Sequence, residues 1–241
     1  MENIIFIAPS ATGKSTQSKM LVEKYNYNHL STGNLLRKEI SKNTPLANDI
    51  KKIIDAGNLV SDEIVTELLE IELKKLSGPF VLDGYPRNIS QAKKLELILK
   101  KLNLKIGHVI YIDIKLDEAI KRIKGRLTCP QCNKVYNTHN NVMKPKHDNI
   151  CDQCLIKLIV RPDDNEEAYK KRYNIFINET KPLLEYYKQK GILNVIEDPF
   201  YPEEAFNKVE KIILWLKPKK KLKKWKKPVK LIIWPMSMLK N

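Results

Sequence analysis

Short apolar runs alternate with amphipathic stretches along most of the chain. The apolar runs predict strands, and the amphipathic stretches predict helices. Runs rich in β-branched residues predict buried strands at residues 4–7, 80–82, 108–114 and 193–196, with a further strand near 28–30. Helical stretches lie between them, at residues 14–25, 33–41, 45–56, 62–76, 89–101, 117–125, 165–190 and 202–216. Because strands joined by helices pair in parallel, the pattern predicts an α/β fold, a parallel sheet with helices on both faces.

Two segments interrupt this alternation. Residues 31–60 are helical without an intervening strand, and residues 127–164 are rich in loop-forming residues. Both segments are expected to be insertions at the carboxyl edge of the sheet. Ligands bind at this edge in such folds, so the insertions would lie beside a ligand site. The rest of the chain then divides into a core, made of residues 1–30, 61–126 and 165–216, and a basic tail at 217–241.

A phosphate-binding loop is predicted directly after the first strand. Residues 4–7 lead into a loop that ends in Gly-Lys-Ser-Thr and continues as a helix, which is the strand–loop–helix signature of a P-loop. Backbone N–H groups and the helix N-terminus favour phosphate, Lys14 can reach the terminal phosphates, and Ser15 can offer its hydroxyl to Mg²⁺. The residues expected to hold a nucleoside triphosphate are Ala11, Thr12, Gly13, Lys14, Ser15 and Thr16.

Two alanines stand where such a loop usually has glycine. They are Ala8 at the start of the loop and Ala11 within it. If either alanine has a positive φ, the left-handed conformation costs about 1 to 2 kcal/mol, and we expect triphosphate binding to be weakened.

All four cysteines fall in the loop-rich segment. Cys129 and Cys132 form one CxxC pair and Cys151 and Cys154 a second, with eighteen residues between the pairs. Four thiolates at this spacing predict a closed, structural Zn²⁺ site, although iron also binds four thiolates. A redox role fits poorly because the thioredoxin-like context is missing. We therefore expect the metal to stabilise a small lobe rather than to take part in catalysis.

Charge and composition limit the classes of protein. Apolar residues make up 42% of the chain, which fits a globular protein, and no apolar run reaches the roughly 18 to 20 residues of a membrane span. A cytosolic location is expected. The net charge is +16, but residues 217–241 contain ten Lys and no acidic residue, which leaves +6 for the first 216 residues. That moderate excess suits a polyphosphate ligand, although a Lys-rich usage bias would also produce it.

Further motifs follow the P-loop in a fixed order. They are STGNLLR at 31–37, GNLVSDEI at 57–64, LDGYPRNISQA at 82–92, RIKGR at 122–126 and RPDDNEEAYKKR at 161–172. With these motifs the chain, from about residue 1 to 210, resembles adenylate kinase of the bacterial type with a long zinc-binding lid. The resemblance implies a P-loop NTPase core, a helical AMP-binding insertion at 31–60, a zinc-binding lid at 127–164, and a monomer. It also implies phosphoryl transfer from MgATP to AMP, giving two ADP.

The resemblance assigns roles to residues inside the motifs. Arg37 and Arg87 would hold the monophosphate, and Asp83 would order water around Mg²⁺. Four further arginines would act on the triphosphate and on the transferred group: Arg122 and Arg126 on the former, Arg161 and Arg172 on the latter. The remaining AMP-binding positions are Thr32, Gly57, Asn58, Leu59, Val60, Gly84, Tyr85, Pro86 and Gln91. Val135 and Tyr136 would pack near the ATP base, and Asp163 and Asp164 would help the lid to close.

Three features leave alternatives open. Asn34 and Ser61 replace residues that are usually Asp and Pro in the family. The altered phosphate loop, with Ala8 and Ala11, leaves a nucleotide-binding pseudoenzyme open as an alternative. A kinase of another nucleoside monophosphate is a further alternative. The tail has nine Lys in residues 217–230, with Trp225 and Trp234. It fits contact with an anionic membrane or nucleic acid, or a disordered extension.

Overall fold

The computed structural model describes residues 1–42, 44–56, 58, 60–162, 164–197 and 201–214. Three residues with predicted roles, Gly57, Leu59 and Asp163, lie outside the described residues, as does the basic tail at 217–241. No helix in the described ranges is long and apolar enough to cross a membrane.

The centre of the molecule is a five-stranded parallel sheet, with its strands in the order β2-β3-β1-β4-β7. All five predicted strands are present, with small shifts at their ends. Their bounds are Asn3–Ile7 for β1, Asn28–Ser31 for β2, Phe80–Asp83 for β3, Ile106–Asp113 for β4 and Leu193–Glu197 for β7. The predicted α/β fold is therefore confirmed.

Apolar clusters cover both faces of the sheet. Ile4 and Phe6 contribute to one cluster, and Ile5 and Ile7 to the other, because successive side chains of a strand point to opposite faces. The described helices are α1 (Lys14–Tyr25), α2 (Thr32–Ile40), α3 (Pro45–Asp55), α4 (Asp62–Leu73), α5 (Ile89–Lys101), α6 (Leu116–Lys124), α7 (Glu166–Ile175), α8 (Pro182–Gln189) and α9 (Pro202–Leu214). Most of them follow the predicted bounds within a few residues.

The helix predicted at 165–190 is not continuous. Helix α7 ends at Ile175, a π-helical turn covers Phe176–Thr180, and α8 begins at Pro182. Proline lacks an N–H group and its ring collides with the carbonyl four residues earlier, which prevents a regular helix across this point. The N–H of Lys181 instead donates to the carbonyl of Phe176, 2.9 Å away. The apolar pattern could not show this change, because it continues through the break.

The cysteine-containing segment has a small sheet of its own, which the sequence did not predict. Strands β5 (Arg126–Thr128) and β6 (Val135–Asn137) pair in antiparallel fashion. Three-residue strands are too short to give a period of two. Leu127, Tyr136 and Leu158 form a miniature core with the cysteines. The segment is thus an ordered lobe, although much of it is loop.

Candidate active site

A cavity of about 530 Å³ lies at the carboxyl edge of the central sheet, where β1 and β3 end. Its walls come from the phosphate loop, from α2 and the residues before α4, from the turn after β3, and from the cysteine-containing lobe. All six arginines with predicted roles line it: Arg37, Arg87, Arg122, Arg126, Arg161 and Arg172. The other predicted residues on its wall are the loop residues 11–16, Thr32, Asn58, Val60, Asp83, Gly84, Pro86 and Val135.

The phosphate loop ends at the first turn of α1. Gly13 precedes the helix with a φ of 94°, a conformation that glycine adopts without a steric cost. The Lys14 ammonium donates to the carbonyls of Ala8 and Pro9, at 2.9 and 2.7 Å. The hydroxyl of Thr12 donates to the same Pro9 carbonyl at 3.1 Å. These bonds fold the loop tightly around the lysine.

Ala11 has a positive φ of 61°, whereas Ala8 is not among the described residues with a positive φ. The strained conformation considered for both alanines is therefore present at Ala11 alone. Its side chain packs against an apolar cluster that includes Ile114, Ala119 and Tyr169.

Positive charge is concentrated around Lys14. Burial, and then the charges of Arg87, Arg126 and Arg172, lower the pKa of Lys14 to about 8, against the opposing effect of Asp83. Burial also lowers the pKa of Arg87. Several cations share a poorly solvated space, so a polyanionic ligand would relieve their repulsion.

Asp83 lies at the end of β3, beside the phosphate loop. The hydroxyl of Ser15 donates to Asp83 Oδ2 at 2.5 Å, and His29 Nε2 lies 3.5 Å from the same oxygen. Burial alone raises the pKa of Asp83, but His29, Lys14 and Ser15 together lower it to about 2, so the carboxylate is charged. A carboxylate beside a hydroxyl is the oxygen donor set that Mg²⁺ prefers, so the residues fit this ion.

His29 has no predicted role, although it contacts a predicted site residue. It lies on β2 opposite Val81 of β3, two residues before Asp83. A histidine within a short strand carries no functional signal in a single sequence, because the pairing of β2 with β3 is what brings it to Asp83.

The turn after β3 is narrow. Thr32 Oγ1 and Arg87 Nε both donate to the carbonyl of Gly84, at 3.1 and 2.9 Å. Gly84 has a φ of 84°, and a Cβ there would lie 3.0 Å from Thr32 Oγ1. The Tyr85–Pro86 peptide bond is cis. Glycine at position 84 thus lets the Thr32 and Arg87 side chains both reach its carbonyl at the cavity wall.

Asn34, which departs from the family pattern, contacts Arg37. Its Oδ1 accepts a hydrogen bond from Arg37 Nη2 at 2.5 Å. Ser31 caps α2 by accepting from the backbone N–H of Asn34 at 3.4 Å. The amide therefore fixes the arginine by hydrogen bonding, without the charge that an aspartate would bring.

Among the described residues with predicted binding roles, three do not line the cavity. Tyr85 is buried, with its hydroxyl 2.9 Å from that of Thr66. Gln91 is only 3% exposed, and its amide is engaged by neighbouring residues. Tyr136 lies in the core of the small lobe, where its hydroxyl accepts from the N–H of Asp152 at 2.9 Å.

The lobe residues include a carboxylate that holds two of the arginines. Asp164, whose side chain is fully buried, accepts from Arg126 Nε at 2.7 Å and from Arg126 Nη2. Arg172 Nη2 lies 3.9 Å from Asp164 Oδ1, and Arg161 Nε donates to Thr128 Oγ1 at 3.1 Å. Planar guanidinium groups suit such bidentate pairing, so Asp164 orients Arg126 in particular.

Four lobe residues line the cavity without having been predicted: Asn137, His139, Asn140 and Met143. Asn137 Nδ2 donates to the carbonyl of Arg122 at 2.8 Å, and Asn137 Oδ1 accepts from the N–H of His139 at 2.9 Å. A Cβ at Gly125 would lie 2.6 Å from the His139 ring. These residues lie outside the sequence motifs, and only the hairpin brings them to Arg122.

The four cysteines meet at one point of the lobe. Their sulfur atoms all lie within 4.8 Å of one another, with Cys132 Sγ and Cys151 Sγ 3.7 Å apart. Zn–S bonds of about 2.3 Å give a tetrahedron with an edge of roughly 3.8 Å, so this separation fits the ion. Backbone N–H groups of Cys132 and Cys154 also donate to Cys129 Sγ and Cys151 Sγ, at 3.5 and 3.4 Å.

Comparison with known proteins agrees with this geometry. A sequence model of the adenylate kinase family matches residues 6–192. The chain is 41% identical over 194 residues to the adenylate kinase of Petrotoga mobilis, covering 80% of this chain and 89% of that one. It is 39% identical over 213 residues to the adenylate kinase of Archaeoglobus fulgidus, covering 88% and 97%, and 38% identical over 213 residues to that of Geotalea daltonii, covering 88% and 99%.

The chain belongs to the adenylate kinase family. The resemblance seen in the motifs is thereby confirmed. Adenylate kinases are nucleoside monophosphate kinases that phosphorylate AMP with ATP and use Mg²⁺. The substrates of this chain are accordingly AMP and ATP, or two ADP in the reverse direction, and none of these observations favours the pseudoenzyme alternative.

Proposed function

We propose that the cavity holds both nucleotides of the adenylate kinase reaction, with ATP on residues 11–16 and AMP against the turn after β3. The observation that carries this arrangement is that one cavity is lined by the phosphate loop, by Arg87 and by the arginines of the lobe. Two anionic substrates can therefore be bound with their phosphates toward the same cluster of cations.

The residues act mainly by positioning and by charge. Lys14, Arg122 and Arg126 bind the donor phosphates, Arg37 and Arg87 bind the AMP phosphate, and Arg161 and Arg172 flank the group that moves. Phosphoryl transfer requires little covalent chemistry from the protein, since its transition state is stabilised by positive charge placed in advance. The contact of Asp164 with Arg126 keeps that guanidinium in place before substrate binds.

Ser15 and Asp83 would hold Mg²⁺, Asp83 through water. The ion supplies charge neutralisation between the donor phosphates. Asp83 remains ionised throughout the range in which the enzyme would work, because its pKa is lowered to about 2. The contact with His29 helps to keep this carboxylate charged and in position.

Closure of two segments would exclude water from the reacting phosphates. We assign these roles to the AMP-binding insertion at 31–60 and to the lid at 127–164, with the remaining residues up to 216 as the core. Lys19 of α1 donates to the carbonyl of Cys132 at 3.3 Å, and Lys171 of α7 to that of Ala56 at 3.3 Å. Contacts of this kind hold the segments against the core and so limit hydrolysis of ATP.

We further propose that Cys129, Cys132, Cys151 and Cys154 bind a structural Zn²⁺ ion. The support is their sulfur geometry together with the small apolar core beside it. The ion has no open coordination position when four thiolates bind it, so its role is to stabilise the lid.

A coupled assay on the full chain tests the function and the acceptor. AMP, CMP, UMP and GMP are supplied in turn with ATP, and AMP is then tested with GTP as donor. We expect turnover with AMP and ATP to exceed turnover with each other acceptor by at least a hundredfold. A preference for another monophosphate would contradict the assignment of AMP, and AMP binding without turnover would indicate a pseudoenzyme.

We also propose a cytosolic monomer. The absence of disulfide bonds among the four cysteines suits a reducing compartment. Size-exclusion chromatography with light scattering tests the oligomeric state. The contact of residues 217–241 with an anionic membrane or nucleic acid stays a prediction. This prediction would be supported by salt-sensitive binding to anionic vesicles or RNA that is lost when the chain is truncated after Leu216.

A further inference from the structure

A carboxylate outside the cavity is connected to the AMP side of the site by hydrogen bonds. Asp62 is the first residue of α4, directly after the insertion. Its Oδ1 accepts from Gln91 Nε2 at 2.6 Å, and its Oδ2 accepts from Asn88 Nδ2 at 3.1 Å. Gln91 Oε1 in turn accepts from the backbone N–H of Arg87 at 2.7 Å. The series of contacts therefore runs from Asp62 through Gln91 to Arg87.

The chemistry of the groups allows only one orientation of the Gln91 amide. A carboxylate only accepts hydrogen bonds, and a backbone N–H only donates them. The NH₂ group of Gln91 must face Asp62, and its oxygen must face Arg87. If the amide flipped, it would place two acceptors together at Asp62 and two donors together at Arg87. Because Gln91 is buried, water could not easily compensate for either mismatch.

We propose that Asp62 is a positioning residue for AMP: it fixes the Gln91 amide, which holds the backbone of Arg87 at the cavity wall. Asn88 strengthens the arrangement, because its Oδ1 caps α5 by accepting from the N–H of Gln91 at 2.8 Å while its Nδ2 bonds to Asp62. The proposal rests on the placement of AMP against Arg87 given above.

The sign of the expected effect separates positioning from simple electrostatics. The negative charge of Asp62 lies close enough to Arg87 to oppose the lowering of its pKa. That charge also repels an anionic phosphate. If charge alone mattered, Asp62→Asn would lower the Michaelis constant for AMP. Loss of positioning raises it, because an asparagine at this position offers one acceptor where the carboxylate offers two. Gln91 and Asn88 then compete for that acceptor, and the Gln91 amide is held less firmly.

The test measures Michaelis constants for both substrates in Asp62→Asn and in a matched control, Glu63→Gln. Both acidic residues lie in the first turn of α4, so each variant loses the same favourable interaction with the helix N-terminus. Glu63 forms an exposed ion pair with Lys94, at 3.1 Å. We expect Asp62→Asn to raise the constant for AMP about tenfold with that for ATP changed less than twofold, and Glu63→Gln to change neither.

A double-mutant cycle tests whether Asp62 acts through Gln91. In the background of Gln91→Ala, we expect Asp62→Asn to change the Michaelis constant for AMP less than twofold, since its partner is absent. Independent, multiplicative effects would overturn the proposal, as would a constant for AMP in Asp62→Asn that is unchanged or lower. Partial misfolding does not obscure the result, because a Michaelis constant does not depend on how much enzyme is active. If the wild-type protein fails to phosphorylate AMP, the proposed function fails instead.

Discussion

Ala11 lies in the phosphate loop at a point where the backbone turns left-handed, with a φ of 61°. For a residue with a Cβ this conformation costs about 1 to 2 kcal/mol. Ala8 and Ala11 stand at two positions of one loop, and both side chains are partly buried against apolar clusters. The two alanines differ mainly in backbone conformation, since of the two only Ala11 has a positive φ. They therefore form a matched pair for testing strain.

Replacing each alanine by glycine separates strain from the general cost of glycine. Ala8→Gly loses a methyl contact and adds freedom to the unfolded chain, so it destabilises by about 1 kcal/mol. Ala11→Gly has the same costs but relieves the left-handed strain. We expect Ala11→Gly to be more stable than Ala8→Gly by at least about 1 kcal/mol in urea unfolding. Equal stabilities would show that the loop carries no strain at Ala11.

Lys14 predicts a pH dependence of ATP binding. Its pKa is lowered, mainly by burial, to about 8, so the free enzyme loses this positive charge as the pH rises through that value. Bound phosphates favour the protonated form, and affinity must therefore fall at higher pH. We expect the Kd of a non-hydrolysable ATP analogue to rise several-fold between pH 7.5 and 9.5. In Lys14→Arg, whose guanidinium stays charged, this rise disappears; a flat wild-type profile would contradict the assignment.

At the scale of elements, local motifs were predictable and small or interrupted elements were not. The strand, loop and helix around Lys14 are contiguous in sequence, and their signal predicted them correctly. Strand β6 has three residues, too few for a period, and it places Asn137, and His139 just after it, at the cavity wall. A sequence motif marks Gln91 without revealing that neighbouring groups already engage its amide.

We expect the proposed lid to depend on its metal site more than on its apolar core. That core consists of few buried residues, among them Leu127, Tyr136 and Leu158. A lobe of this size has too little apolar area to fold alone, so we expect its stability to be coupled to metal binding. We expect the purified protein to contain about one Zn²⁺ per chain, and Cys151→Ser to contain less than a tenth of that.

The metal-free protein should lose the lid before the core. In Cys151→Ser we expect faster proteolysis near residues 127–164 and a kcat at least tenfold lower, with AMP binding changed less than twofold. Elemental analysis, limited proteolysis and calorimetric titration check these three outcomes. A lid that resists protease equally well without metal would contradict a structural role for the site, and iron in the elemental analysis would correct its identity.

At the scale of the whole molecule, the lid must be coupled to the core if its closure is to protect the reacting phosphates. A direct polar contact between them, outside the proposed catalytic residues, is the one from Lys19 to the carbonyl of Cys132, 3.3 Å long. Lys19 and Lys14 lie on the same helix, and Cys132 is a proposed metal ligand. The contact therefore connects the helix behind the phosphate loop to the metal-binding part of the lid, and it forms only when the lid lies against the core.

Removing this contact should weaken ATP binding without affecting AMP. A hydrogen bond of this kind contributes about 0.5 to 1 kcal/mol, which corresponds to a factor of two to five. We expect Lys19→Met to raise the Michaelis constant for ATP by that factor, with that for AMP unchanged, because in the proposed arrangement the lid closes over the donor nucleotide. Lys24→Met is the control, since Lys24 is on the same helix but pairs with Glu210 of α9, within the core. Equal effects of both variants would mean that Lys19 acts through general surface charge, and that its contact does not stabilise the closed lid.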